Sequence, residues 1–353
     1  MFDIRFLHRT GFAITLLLAA SSVAAQFQPF QPLPAQPPIP ADNPQSALKI
    51  ELGAQLYFDP RLSVNGTVTC NTCHNLLAGG DDERPLSIGA TGVVTARNAP
   101  SLFNVGYYTI YFRDGRATSL EAAIEEHLAD EVVLGNKSHD QVLARLRKLS
   151  AYGEEFAKVF GDGEISGKNV AQALAAYLRS MNTTDSAFDQ YLRGRTAAIS
   201  EQAKSGLKLF NESACASCHF YVNMAGPVPG LAFQMGEGFY ELFPNFVGSE
   251  YDTRYQLMAD IGRYQVTKID TDKRMWRVTS LRNVATTAPY FHNGSVANLD
   301  EAVRVMAKVQ LNLTWTDQQV ADVVAFLQTL TGEFPRVVTP RLPTPNDGTV
   351  YQN

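Results

Sequence analysis

Cys70-Asn71-Thr72-Cys73-His74 and Cys215-Ala216-Ser217-Cys218-His219 hold every cysteine of the 353-residue chain. The spacing has a chemical reading. Two thiols separated by two residues can add across the two vinyl groups of one haem, and the histidine that follows reaches an axial position on the iron. The pattern therefore predicts two covalently bound haem c groups. Cys70, Cys73, Cys215 and Cys218 would be the thioether residues, and His74 and His219 the proximal ligands. Paired cysteines in an exported chain could instead form disulfides or a thioredoxin-like redox site. Four cysteines could also hold zinc. Disulfide or redox pairing leaves the histidine after each second cysteine without a role.

The compartment is read from the first residues. Arg5, His8 and Arg9 precede an almost wholly apolar run from Phe12 to Ala20, and Val23-Ala24-Ala25 supplies small residues for cleavage. That order predicts a signal peptide over 1–25 and a periplasmic mature protein beginning near Gln26. The apolar run falls short of the roughly 20 residues that span a bilayer. No later stretch is long and apolar enough, so no transmembrane span is expected in the mature chain. A net charge of −5 with 18% charged residues excludes a basic nucleic-acid footprint. The remaining length suits about two domains.

The stretch from Gln28 to Gln45 is rich in proline and reads as an extended lead-in, placed at 26–45. Order resumes near Ser46, where Leu48, Leu52, Leu56 and Tyr57 share a helical face that Asp59-Pro60 ends. Thr118-x-x-Glu121, Ser138-x-x-Gln141 and Thr316-x-x-Gln319 fit capping boxes before periodic apolar runs. Gly332 suits a C-cap, and Ser200-Glu201 opens another helix. Gly262 to Thr267 is the best strand pattern in a mostly helical chain.

A duplication is also visible. Leu52-Gly53-Ala54-Gln55-Leu56-Tyr57-Phe58 precedes the first cysteine site, and Ser205-Gly206-Leu207-Lys208-Leu209-Phe210 precedes the second. With the polar Arg193-Gly194-Arg195 as boundary, the expected architecture is mainly α: two tandem cytochrome c-like helical domains. They would occupy 46–195 and 196–338, with a tail at 339–353.

Several segments carry a resemblance. Phe58-Asp59-Pro60-Arg61-Leu62-Ser63, Gly79-Gly80-Asp81-Asp82, Asp114-Gly115-Arg116-Ala117 and Leu281-Arg282-Asn283-Val284-Ala285 stand in order around the two cysteine sites. So do Thr287-Ala288-Pro289-Tyr290-Phe291-His292 and Leu330-Thr331-Gly332-Glu333. Together they resemble the bacterial di-haem cytochrome c peroxidases over nearly the whole mature chain. The resemblance implies reduction of hydrogen peroxide with electrons from a small c-type cytochrome or a cupredoxin. It implies Met306 as the distal ligand of the C-terminal, electron-receiving haem, a calcium ion at Asn98, Thr287 and Pro289, and a homodimer.

At the N-terminal, peroxidatic haem the chain departs from the family. Ala90 stands where a distal histidine is expected, and Arg113 where a tryptophan lies between the haems. Ala123 replaces the distal glutamine, and Val133 the acid–base glutamate. Splitting a bound peroxide needs a proton moved between its oxygens. Glu131 and His127, in Glu125-Glu126-His127-Leu128-Ala129-Asp130-Glu131, are the candidate substitutes. Two alternatives follow from the same departures. One is a di-haem oxidase acting on a partner protein, as in the related methylamine-utilisation maturation enzyme, although that relative has tyrosine where Met306 stands. The other is a non-enzymatic di-haem electron carrier or sensor.

Overall fold

Helix starts follow from short polar side chains that satisfy the free N–H groups of a first turn. The computed structural model describes residues 30–226 and 239–344. The signal-peptide assignment and the end of the tail lie outside the described residues. Ser46 Oγ accepts from Lys49 N–H and opens α1, Ala47–Phe58. Ser119 caps α2, Leu120–Leu128, one residue later than the Thr118 box predicts. Next come α3, His139–Arg147, and α4, Ser150–Phe160, before α5, Gly167–Ser180. Ser200 caps α6, Glu201–Glu212. Then follow α7, Leu299–Leu311, and α8, Asp317–Gln328, the latter with the full Thr316/Gln319 box.

Two helix crossings organise the chain. In the first half α1 crosses α5, and a Cβ on Gly53 would stand 2.0 Å from the Ala173 carbonyl oxygen. In the second half α6 crosses α8, and a Cβ on Gly206 would stand 1.9 Å from the Asp322 oxygen. Only glycine admits backbones this close. Each crossing is locked by rings one turn further on, with Tyr57 and Tyr177 at 5.4 Å between centroids and Phe210 and Phe326 at 5.3 Å. One apolar core surrounds the first crossing and includes Leu52, Tyr57, Phe156, Leu174 and Tyr177. Another surrounds the second and includes Phe210, Val320, Val323, Phe326 and Leu330.

Beyond the crossings, a further repeat runs through the loops and into the next helix. A constant offset of 179 residues carries Asn104 onto Asn283, Phe112 onto Phe291 and Leu120 onto Leu299. The backbone keeps the correspondence. Asn104 and Asn283 are left-handed at φ 61° and 60°, and Phe112 and Phe291 at 63° and 73°. Tyr111 bridges to Ala117 as Tyr290 does to Val296. The helices α2 and α7 then begin in register.

Three expectations are corrected. Gly262 to Thr267 is no strand: Gly262 is left-handed, and Tyr264–Thr267 forms a helical turn. The strands among the described residues are β1, Tyr240–Leu242, and β2, Met275–Arg277, paired antiparallel. Gly332 does not cap α8. Its N–H donates to Asn283 Oδ1, and a Cβ there would lie 2.8 Å from the Thr184 oxygen, so close approach explains the glycine. Leu48 is exposed on α1 rather than on its buried face. The described part of the proline-rich lead-in, residues 30–45, lacks helix and strand and buries Phe30 and Leu33, with Phe30 5.5 Å from Phe188 in the second core.

The crossings make a signed prediction. Gly→Ala inside a helix ordinarily stabilises by about 1 kcal/mol. At Gly206 the added methyl must be accommodated against backbone, at a cost of about 1–3 kcal/mol. Gly206→Ala should therefore lower the urea midpoint of the haem-loaded protein, and a raised midpoint would contradict the crossing.

Candidate functional site

A cavity of about 500 Å³ opens beside the second cysteine pair, within the usual size range for cofactor sites. Cys215, Cys218 and His219 line it, and so does Met306 on α7. On that helix Val305 and Val309 are buried in the core, while Val303, Met306 and Ala307 line the cavity, Met306 half-buried. His219 Nδ1 donates to the Met224 carbonyl at 3.1 Å, with the Thr279 backbone also in reach. A carbonyl can only accept, so Nδ1 carries the proton and the Nε2 lone pair is left for a metal. Burial lowers the imidazole's pKa and keeps it neutral.

The first pair repeats this arrangement. His74 Nδ1 donates to the Pro100 carbonyl at 2.8 Å, and the Tyr57 hydroxyl at the end of α1 donates to the His74 carbonyl at 2.5 Å. Burial pushes the His74 imidazole down to about 4, and the neighbouring His127 adds to the effect. Pro100 and Thr279 are themselves 179 residues apart. None of the four cysteines is paired in a disulfide. Burial raises Cys70 and Cys215 to about 12, which disfavours a free thiolate at either. Among the described residues, no group of three or more His, Cys, Asp or Glu could hold a metal ion.

The wall between the two sites is cationic and aromatic. Arg113 lines the large cavity and donates to Asn98 Oδ1 at 2.6 Å and to the Asn98 carbonyl at 3.3 Å. Desolvation, and then the neighbouring Arg277, lower its pKa to about 10, which still leaves it charged. Asn98 N–H donates to the His292 carbonyl at 2.8 Å. Thr287 and Pro289 line the same cavity. The donor set expected for calcium is thus brought together, but the side-chain oxygen of Asn98 is taken by a guanidinium. Trp276, which the sequence reading missed, stacks on His292 at 4.4 Å with Arg97 4.8 Å above its ring. Trp276 Nε1 and His292 Nε2 are buried without a hydrogen-bond partner.

Around His74 the expected distal positions are apolar and closed. Ala90 and Ala123 are buried, and Ala90 N–H donates to the Val133 carbonyl at 2.9 Å. Glu131 is exposed in the turn after α2 and has neither hydrogen bond nor ion pair among the described residues. His127 is different. Its ring centre lies 6.4 Å from that of His74 and 5.6 Å from that of Phe112. Desolvation lowers its pKa. The offset of 179 that exposes its counterpart was present in the sequence, hidden by low identity between the two halves.

Comparison with known proteins agrees with this geometry. Residues 47–197 match the family model described as di-haem cytochrome c peroxidase, and residues 203–331 match that of cytochrome c. The chain is 36% identical over 322 residues to cytochrome c551 peroxidase of Pseudomonas aeruginosa, covering 91% of this chain and 89% of that one. It is 38% identical over 297 residues to cytochrome c peroxidase Ccp of Escherichia coli, covering 84% of this chain but only 61% of that longer protein. Among solved structures it is similar to a MauG-like protein associated with microbial copper homeostasis. The TM-score is 0.74 at 31% identity, covering 84% of this chain and 93% of that one. With two cysteine–histidine sites on a duplicated helical frame, the chain belongs to the di-haem cytochrome c peroxidase family.

Proposed function

We propose that this chain reduces hydrogen peroxide to two waters, consuming two protons and two electrons delivered by a small c-type cytochrome or a cupredoxin in the periplasm. The observation that carries this reading is the continuity of the large cavity. It runs from Cys215, His219 and Met306 to Pro100, whose carbonyl holds His74. A site built to receive electrons is thereby one residue away from the proximal ligand of a second site.

Two haem c groups fit the residues present: each cysteine pair, outside any disulfide, stands next to a neutral imidazole oriented by a backbone carbonyl. Bound there, they supply the electron storage and the iron that meets peroxide. The protein's part is positional. Cys70 and Cys73, with Cys215 and Cys218, fix each macrocycle, while His74 and His219 are held in one tautomer by backbone carbonyls. Met306 supplies a soft thioether, which favours the reduced state of the second site. Trp276 and His292 lie on the wall between the sites and provide an aromatic connection where the family's tryptophan is Arg113. Calcium does not fit the set Asn98, Thr287 and Pro289. Arg113 already satisfies the Asn98 side-chain oxygen, and a divalent cation beside a desolvated guanidinium would be repelled.

Three measurements test this. The haem-loaded protein should oxidise a reduced small c-type cytochrome in a peroxide-dependent manner, and a rate no greater than that of free haem would overturn the peroxidase reading. Met306→Ala should lower the potential of the second haem by on the order of tenths of a volt, whereas an unchanged high-potential haem refutes the ligand. Metal analysis should find no stoichiometric calcium, and chelation should leave turnover unaltered. One tightly held calcium per chain would show that Arg113 moves aside.

A further inference from the structure

We infer that His127 is the distal axial ligand of the iron held at His74, which closes the first site with the chain's own imidazole. The inference rests on the reading of His74 as a proximal ligand. Two independent observations carry it, one of register and one of distance.

The register comes from the internal repeat. The same offset of 179 that relates Pro100 to Thr279, Asn104 to Asn283, Phe112 to Phe291 and Leu120 to Leu299 carries His127 onto Met306. His127 is the eighth residue of α2, and Met306 the eighth of α7. In the first half the Pro100 carbonyl accepts from His74 Nδ1, and its counterpart Thr279 lies against the His219 ring beside the Met224 carbonyl that accepts from Nδ1. The position that presents a thioether in the second half therefore presents an imidazole in the first.

The distance separates ligation from acid–base work. An iron bound by two imidazoles at about 2 Å each puts their ring centres about 6 Å apart. A histidine that instead serves a bound peroxide needs the peroxide oxygens and a hydrogen bond of about 3 Å in between, which places the ring centres about 9 Å apart. The observed separation is 6.4 Å. It admits one iron and excludes an iron plus peroxide. The 46° angle between the rings is compatible, since both planes can contain the metal–nitrogen axis at any dihedral. Among the described residues no hydrogen bond engages the His127 ring, which leaves its nitrogens for the metal. Neither Ala90 nor Val133 offers a competing ligand.

Electron paramagnetic resonance of the ferric, fully haem-loaded protein tests the assignment. The first haem should be low-spin with bis-histidine character. His127→Ala should convert that signal to high-spin, and added imidazole should restore it. His127→Met guards against misfolding of the alanine variant, and should replace the bis-histidine signature with a second methionine–iron band beside that of Met306. A high-spin first haem in the unmodified protein overturns the inference, as does an unchanged signal in His127→Ala. A pyridine haemochrome count separates the two layers of the argument. Two haems with an unchanged spectrum overturn ligation by His127 alone, whereas one haem overturns the assignment of His74 as well.

Discussion

Gly53 against Ala173 and Gly206 against Asp322 are the contacts on which the rest of the structure hangs. At each, two helices pass with backbone against backbone, and the residue four places on is an aromatic ring. Tyr57 reaches from the first crossing to the His74 carbonyl, and Phe210 packs 6.4 Å from the His219 ring. The order glycine, aromatic, cysteine pair, histidine is thus a mechanical chain. Helix separation sets the ring, and the ring sets the imidazole. A methylene of error at the glycine would be transmitted directly to the proximal ligand, because packed interiors deform little.

The second constraint is the backbone carbonyl behind each imidazole. Pro100 and the pair Met224 and Thr279 fix the protonated nitrogen, and so decide which lone pair faces the metal. Both carbonyl-bearing segments also line the large cavity. The two sites therefore share a wall rather than merely a chain. That wall carries Arg113 and Arg277, with Arg97 behind Trp276. A cationic, aromatic partition of this kind favours anionic groups on either side, such as haem propionates, and disfavours a divalent cation within it.

Much of the frame was legible in the residues. The cysteine–histidine spacing drew attention to two segments that the fold frames alike, the Leu-Gly-x-x-x-Tyr and Ser-Gly-x-x-x-Phe segments showed the duplication, and Ser46, Ser200 and Thr316 marked true helix starts. Gly332 misled because a glycine near a helix end has two physical uses, left-handed backbone or close approach, and sequence does not distinguish them. Gly262 to Thr267 misled because a single turn of helix is too short for its period to show against β-branched residues. Trp276 was invisible for another reason. It matters through what it stacks on, His292, which lies 16 residues away along the chain. The repeat joining His127 to Met306 was present throughout, but the two helices share few side chains. Only matching left-handed residues and paired bridges reveal the register.

That register gives the asymmetry of the two sites a simple origin. Duplication supplies two similar frames, each with a cysteine pair, a histidine ring held by a backbone carbonyl and a helix in the shared register. A thioether at the eighth residue of α7 is soft and stabilises a reduced metal, whereas an imidazole at the eighth residue of α2 is a stronger donor to the oxidised one. With the ligation proposed above, opposite preferences at two sites sharing a wall would create a directional pair from one repeated unit. Ala90, Ala123 and Val133 fit the same logic. Ala90 N–H donates to the Val133 carbonyl, so the loop that carries Ala90 packs down against the turn after α2 instead of reaching inward.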